Sequence, residues 1–271
     1  MACRIDDIFD RLRRCGRTTL IPFVTAGYPS LDATTRVLRA LEEVGVDIVE
    51  LGFPFSDPIA DGPVIAASMH QALKRGVTPP AIFELVNGLR SQTGLGIVAM
   101  VSHSVVRRMG TPAFMAEASG AGFDGIIIPD LDLEGAVEES LGDLAAAGGM
   151  SWSLLIAPTT SPERLGRLVG LSRGFVYLLA RCGITGERAQ APAVDRRVDA
   201  VRRHTDLPVA VGFGISRPEH VAAVTRTADA AVVGSALVRT MGEGADPAQA
   251  AVELIRTLSG GLAVRHDPPS G

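Results

Sequence analysis

Glu50 closes a short apolar run, and Asp57 and Asp61 follow it on a segment broken by Gly52, Pro54, Pro58 and Gly62. A carboxylate at a buried strand end, with two further acids on a stiff, turn-rich loop, is suited to acid/base chemistry. The same residues also read as a structural glutamate and two turn aspartates, because Asp-Pro and Asp-Gly are ordinary turn pairs.

A second group of residues points to an anion. Three glycine-rich stretches, Gly183-Ile184-Thr185-Gly186, Gly212-Phe213-Gly214-Ile215-Ser216 and Gly234-Ser235, lie late in the chain. Glycines let backbone approach a ligand closely, and free N–H groups ahead of a helix form an anion nest. Ordinary βα turns also favour glycine, but two such loops on adjacent final strands favour phosphate binding. The basic residues narrow the mechanism. Lys74 is the only lysine and falls late in a helical stretch, so a Schiff-base lysine at a strand end is not expected. Of the five histidines only His103 falls at a strand end, too few for a metal-dependent aldol site. Proton transfer by carboxylates on a phosphorylated substrate remains.

The elements that would position these groups alternate regularly. An N-terminal helix is expected over about 5–14. Apolar strands are expected at 20–24, 47–51, 97–101, 125–129, 153–157, 175–180, 208–214 and 230–234. Helical spacing places helices at 32–44, 62–74, 80–90, 111–120, 134–147, 195–203 and 247–258. Ser161-Pro162-Glu163 reads as a cap with proline at the first helical position, and Ser216-x-x-Glu219 as a capping box. Strands without polar alternation belong to a parallel sheet buried on both faces. Eight βα units predict the α/β class: a single (β/α)8 TIM barrel over 1–264 with an extra N-terminal helix, and a disordered tail over 265–271. The active site of such a barrel lies at the strands' C-terminal ends. That gathers Phe23 and Thr25, Glu50, Asp61, Tyr177 and the glycine loops into one constellation.

The 271 residues suit one barrel of about 250 residues. A formal charge of −4 without a basic face argues against nucleic acid, and no apolar run is long enough for a membrane span. The charged N-terminus lacks the apolar core of a signal peptide, so a cytoplasmic location is expected. Cys3, Cys15 and Cys182 have neither disulfide nor zinc spacing.

These residues together resemble the tryptophan synthase α subunit family, which includes stand-alone indole-3-glycerol-phosphate lyases. The matching segments are Pro22-Phe23-Val24-Thr25-Ala26-Gly27-Tyr28-Pro29 and the run from Glu50-Leu51-Gly52 through Ser56-Asp57-Pro58 to Asp61-Gly62-Pro63. Pro129-Asp130-Leu131, Ala157-Pro158-Thr159-Thr160 and the three glycine stretches follow in the family's order. The resemblance implies a lyase of tryptophan biosynthesis that cleaves indole-3-glycerol phosphate to indole and glyceraldehyde 3-phosphate, with no cofactor and no metal. By position it makes Glu50 the general acid/base and Asp61 the partner carboxylate. It places Phe23, Tyr177, Thr185, Gly186, Phe213, Gly214, Gly234 and Ser235 around the substrate. Two segments depart from the family, Ser102-His103-Ser104-Val105 after strand three and Asp132 after strand four. In the family both lie where the α subunit meets the β subunit of an α2β2 assembly. The departures leave two readings open, an enzyme independent of the β subunit or a divergent α subunit with a co-adapted partner. A non-catalytic α-like module that activates another enzyme, and a sugar-phosphate isomerase on the same barrel, are the alternatives. The intact acids speak against the first, and the strand-two signature against the second.

Overall fold

The structure, a computed structural model, describes residues 3–57, 62–131, 140–180, 194–212 and 214–263. Helix α1 (Arg4–Arg14) precedes strand β1 (Thr19–Thr25), and α2 (Leu31–Glu43) leads to β2 (Ile48–Gly52). Helices α3 (Pro63–Lys74) and α4 (Pro79–Arg90) are followed by β3 (Gly96–Met100), α5 (His103–Met109), α6 (Thr111–Ala121) and β4 (Gly125–Ile127). Helix α7 (Leu141–Ala147) leads to β5, which runs in two pieces, Ser151–Trp152 and Leu155–Ile156. Then come α8 (Pro162–Leu171), β6 (Val176–Leu179), α9 (Asp195–Arg202), β7 (Val209–Gly212), α10 (Pro218–Thr225), β8 (Ala230–Val233), α11 (Ser235–Glu243) and α12 (Pro247–Ser259).

Among the described residues every pairing between these strands is parallel, and the ring closes where the two pieces of β5 follow one another along the chain. The first piece of β5 pairs with β4 and the second with β6. Backbone bonds bridge the break: Ser153 N–H donates to Ile126 C=O at 3.2 Å, and Tyr177 N–H to Leu154 C=O at 3.2 Å. This is the (β/α)8 barrel that the alternation of elements predicts, with α1 as its extra helix.

The register fixes the stagger of the ring. From Phe23 it leads through Glu50, Val98 and Gly125 to Ser151. From Leu155, four residues past Ser151, it leads through Tyr177, Ala210 and Ala230 to Thr19, four residues before Phe23. That slippage is the shear of about eight expected for this barrel, and it stacks inward side chains in layers of four from alternate strands. The uppermost layer is Phe23, Met100, Leu155 and Gly212. Glu50, Ile127, Tyr177 and Val232 lie beneath it, then Ile21, Val98, Ser153 and Ala210, then Ile48, Gly125, Phe175 and Ala230. The outward residues of the same strands, such as Val49, Leu51, Ile97, Ile126 and Val211, pack against the helices in the largest apolar cluster.

Helix α1 seals the lower end. Its buried face of Ile5, Ile8, Phe9 and Leu12 packs into the cluster of lower-layer residues, with the Phe9 and Phe175 rings 5.8 Å apart. Three aspartates placed just before strands pin the same end. Asp124 accepts from Arg4, Arg90 and the Ile97 amide, Asp47 from Arg11, and Asp229 from Arg202 and the Val209 amide.

Some expectations shift. Helices α5 and α11 were not foreseen. The strand expected at 153–157 begins at Ser151 and is split, and Ser216 does not cap α10. Arg217 occupies the cap, and the Ser216 amide donates to His220 Nδ1 at 3.3 Å. Ser161 does cap its helix, accepting from the Arg164 amide. Of the helix expected over 134–147, the part before Ser140 lies outside the described residues, as do Asp132 and the tail from Arg265. Among the described residues no helix is long and apolar enough to cross a membrane.

If α1 is a structural plug, Phe9→Ala should destabilise the fold by about 3–5 kcal/mol, the usual cost of emptying a buried phenylalanine site. Urea unfolding followed by circular dichroism measures it, and a loss below about 1 kcal/mol would contradict the plug.

Candidate active site

The mouth of the barrel is built on β1 and β2. Phe23 and Glu50 face each other in register on these neighbouring strands. Both Glu50 oxygens are fully buried, and no group among the described residues hydrogen-bonds to either. Burial alone holds the Glu50 pKa well above the ordinary 4.5, so the acid is protonated over a pH range where a solvated glutamate is ionised. Glu50 also pairs with Val98 on its other side, so its strand cannot slide to bring the carboxyl to a partner.

Opposite β2 in the ring stands β6, whose Tyr177 shares Glu50's layer and is 7% exposed. Its register partner on β7 is Ala210, and its ring reaches up to Gly212, two residues further along that strand. A Cβ at Gly212 would collide with the Tyr177 hydroxyl, so only glycine there leaves the phenol its place. Gly52, two residues past Glu50, does the same for the Phe23 ring. Above this level Phe23 packs with Ile65 and Met69 of α3 and Val238 of α11, and Phe55, Val64 and Met100 flank the group. An apolar wall therefore flanks the opening over a carboxyl that has no partner among the described residues. A hydroxyl pair holds α3 in place: Thr25 and Ser68 Oγ atoms lie 2.7 Å apart, and Ser68 donates on to Ile65 C=O.

Gly214 has φ +83° just past β7. Gly234 caps α11, and Ser235, 8% exposed, is that helix's first residue. A helix N-terminus preceded by glycine presents free amides at the end of β8, the arrangement suited to an anion. Asp57 is exposed and accepts from the Ser56 hydroxyl at 2.9 Å. Asp61, Thr185, Gly186 and Phe213 lie outside the described residues. The structure thus brings together Phe23, Glu50 and Tyr177, and sets Gly214, Gly234 and Ser235 at neighbouring strand ends. Ile65, Met69, Met100 and Val238 were not singled out from sequence, because an apolar residue lining a mouth has the same local signature as one in a core.

The segment around His103 is a built feature. Ser102 caps α5, and Asp130 accepts from the Ser102 hydroxyl at 2.7 Å and the His103 amide at 2.9 Å. Among the described residues no three acids, cysteines or histidines cluster as metal ligands would.

Known proteins resemble this chain in sequence and in fold. The model of the family described as tryptophan synthase alpha chain matches residues 9–265. The chain is 44% identical over 235 residues to the tryptophan synthase alpha chain of Synechococcus sp. (strain CC9902), covering 86% of this chain and 87% of the relative. It is 44% identical over 242 residues to that of Halorhodospira halophila, covering 89% and 88%. A solved chain of Mycobacterium tuberculosis tryptophan synthase superposes with a TM-score of 0.88 at 35% identity, over 98% of this chain and 100% of that one.

The burial of Glu50 carries a thermodynamic signature. Its pKa is raised in the folded state, so between 4.5 and that value the native protein holds a proton that the unfolded chain releases. Stability should therefore fall as pH rises through this window, and Glu50→Gln should relieve the loss. The melting temperature of Glu50→Gln should exceed that of the parent at about pH 8 and converge with it toward pH 4.5. A difference independent of pH would show that Glu50 is not a strained buried acid.

Proposed function

The chain belongs to the tryptophan synthase alpha chain family, and from that premise we propose that Glu50 is the acid/base of its lyase reaction, with Asp61 as partner carboxylate. The reaction cleaves indole-3-glycerol phosphate to indole and glyceraldehyde 3-phosphate. The observation that carries the assignment is the buried, unpartnered Glu50 carboxyl beneath an apolar mouth.

Breaking the bond between indole C3 and the glycerol chain needs a proton on C3, which turns the ring into an electron-poor indolenine. It also needs the proton of the adjacent hydroxyl removed. Glu50 starts protonated and delivers its proton to C3. The resulting carboxylate takes the hydroxyl proton as the C–C bond breaks, the bond electrons return to the ring, and the acid is regenerated. A carboxyl poised by burial suits both halves, since its pKa is lifted toward the range where it gives and takes protons readily. Asp61, ionised, offsets the positive charge that builds on the ring N–H. Phe23 and Phe213 line the indole pocket and Tyr177 stands beside the carboxyl. Thr185, Gly186, Gly214, Gly234 and Ser235 hold the phosphate with backbone amides at the last strand ends, which needs no lysine. A fixed apolar wall and a phosphate anchor at opposite ends of the substrate orient the scissile bond over Glu50.

The segments Ser102-His103-Ser104-Val105 and Asp132 bear on the partner. We read them as altered partnering with intact chemistry: either the chain turns over alone or it requires a co-adapted β subunit. Indole release from indole-3-glycerol phosphate by the purified chain, with and without a tryptophan synthase β subunit, separates the two. In whichever setting is active, Glu50→Gln should lower kcat by at least ~10²-fold, the usual worth of a positioned acid/base, with KM little changed. Turnover in neither setting would remove the lyase assignment for this substrate and favour a non-catalytic α-like module.

A further inference from the structure

The barrel interior holds a second polar feature. Besides the Glu50 oxygens, the side-chain hydroxyls of Ser151 and Ser153 are fully buried and without a hydrogen-bond partner among the described residues. The outward residues Trp152, Leu154 and Ile156 pack against the helices, so Ser151 and Ser153 face into the barrel. The register places Ser153 in the layer directly beneath Glu50 and Tyr177. Ser151 lies lower still, against Gly125 and Gly174, and Ile5 of the α1 plug approaches the same Gly174.

Barrel layers are normally filled by bulky branched side chains. The Ser153 layer has Ile21 and Val98 at two places but only Ser153 and Ala210 at the others, and the layer beneath contains Gly125 and Ala230. A serine hydroxyl reaches only a short way toward the axis, and the glutamate above has no hydrogen-bond partner among the described residues. A site lined by small side chains between two orphaned polar groups is where folded proteins hold a buried water.

We propose that Ser153 is a positioning residue for Glu50, acting through one trapped water that bridges its hydroxyl to the carboxyl from below. The inference rests on the assignment of Glu50 as the acid/base. The serine orients the water, and the water donates to the carboxylate that exists after Glu50 has protonated the ring. Without it that carboxylate would form in an apolar pocket with no donor on its lower side. The upper side stays free to face substrate.

The test compares Ser153→Ala, Ser153→Thr and Ser153→Val with the parent chain, using indole-3-glycerol phosphate in the setting that supports turnover. Removing the hydroxyl should lower kcat about ten-fold with KM unchanged, as expected for one lost hydrogen bond to a charged group. Activity that needs protonated Glu50 declines as pH rises through its pKa. Ser153→Ala should move that decline to higher pH, because the ionised form has lost a donor. Threonine should behave as serine and valine as alanine, a pair of equal shape that separates the hydroxyl from packing. Ser151→Ala, lower in the barrel, should move neither quantity. Infrared spectroscopy gives a readout independent of turnover: the protonated-carboxyl band that Glu50→Gln removes should shift to higher frequency in Ser153→Ala and Ser153→Val. An unmoved pH profile and an unshifted band in both would overturn the inference. If Glu50→Gln retained turnover, the acid/base assignment itself would fall instead.

Discussion

Closing eight parallel strands into a ring forces a stagger, and the stagger decides which side chains can meet. A side chain on β2 and one on β6 are remote in sequence and on opposite walls, yet the slippage sets Glu50 and Tyr177 at one height. A shift of β2 by one residue against its neighbours would turn Glu50 out among the helices and bring Val49 or Leu51 inward. The carboxyl stays where it is because the apolar residues flanking it are committed to the outer layer. Its unfavourable desolvation is thus imposed by the packing of its neighbours, which is how a fold sustains a strained group at a functional position.

The two ends of the barrel treat acids in opposite ways. At the lower end Asp47, Asp124 and Asp229 each receive an arginine, and Asp124 and Asp229 take a backbone amide as well. These carboxylates tie helices to strands and are satisfied by doing so. At the upper end Glu50 has no cation and no amide beside it among the described residues. The difference is one of partners and burial, and it separates a residue that holds the barrel together from one free to exchange a proton.

Much of this was legible in the sequence. The apolar runs Leu20 to Val24 and Ile48 to Leu51 read as buried parallel strands because nothing polar interrupts them except Glu50, and that interruption drew attention to the acid. What escaped had physical reasons. Helix α5 is short and contains Val105 and Val106, which favour strands, and its N-terminus is secured by Asp130 from another loop. Helix α11 begins in the glycine stretch that was read as an anion loop, and its first turns are buried on several sides, which hides helical periodicity. Ser151 masked the start of β5, since a serine facing into a barrel is indistinguishable in sequence from one facing water. The layers themselves were out of reach, because register is a property of pairs of strands and no single strand encodes it.

The α1 plug has a consequence for traffic. With Ile5, Ile8 and Phe9 packed beneath the lowest layers, the barrel is closed at its lower end among the described residues and opens at the upper one. Reactant, both products and any solvent proton must use the same door. While a ligand fills that door, Glu50 is isolated from bulk water, and in the proposed reaction the proton it lends comes back from the same molecule. Exchange with solvent belongs to the intervals between occupants, so each turnover begins from the protonation state that the open vessel last acquired.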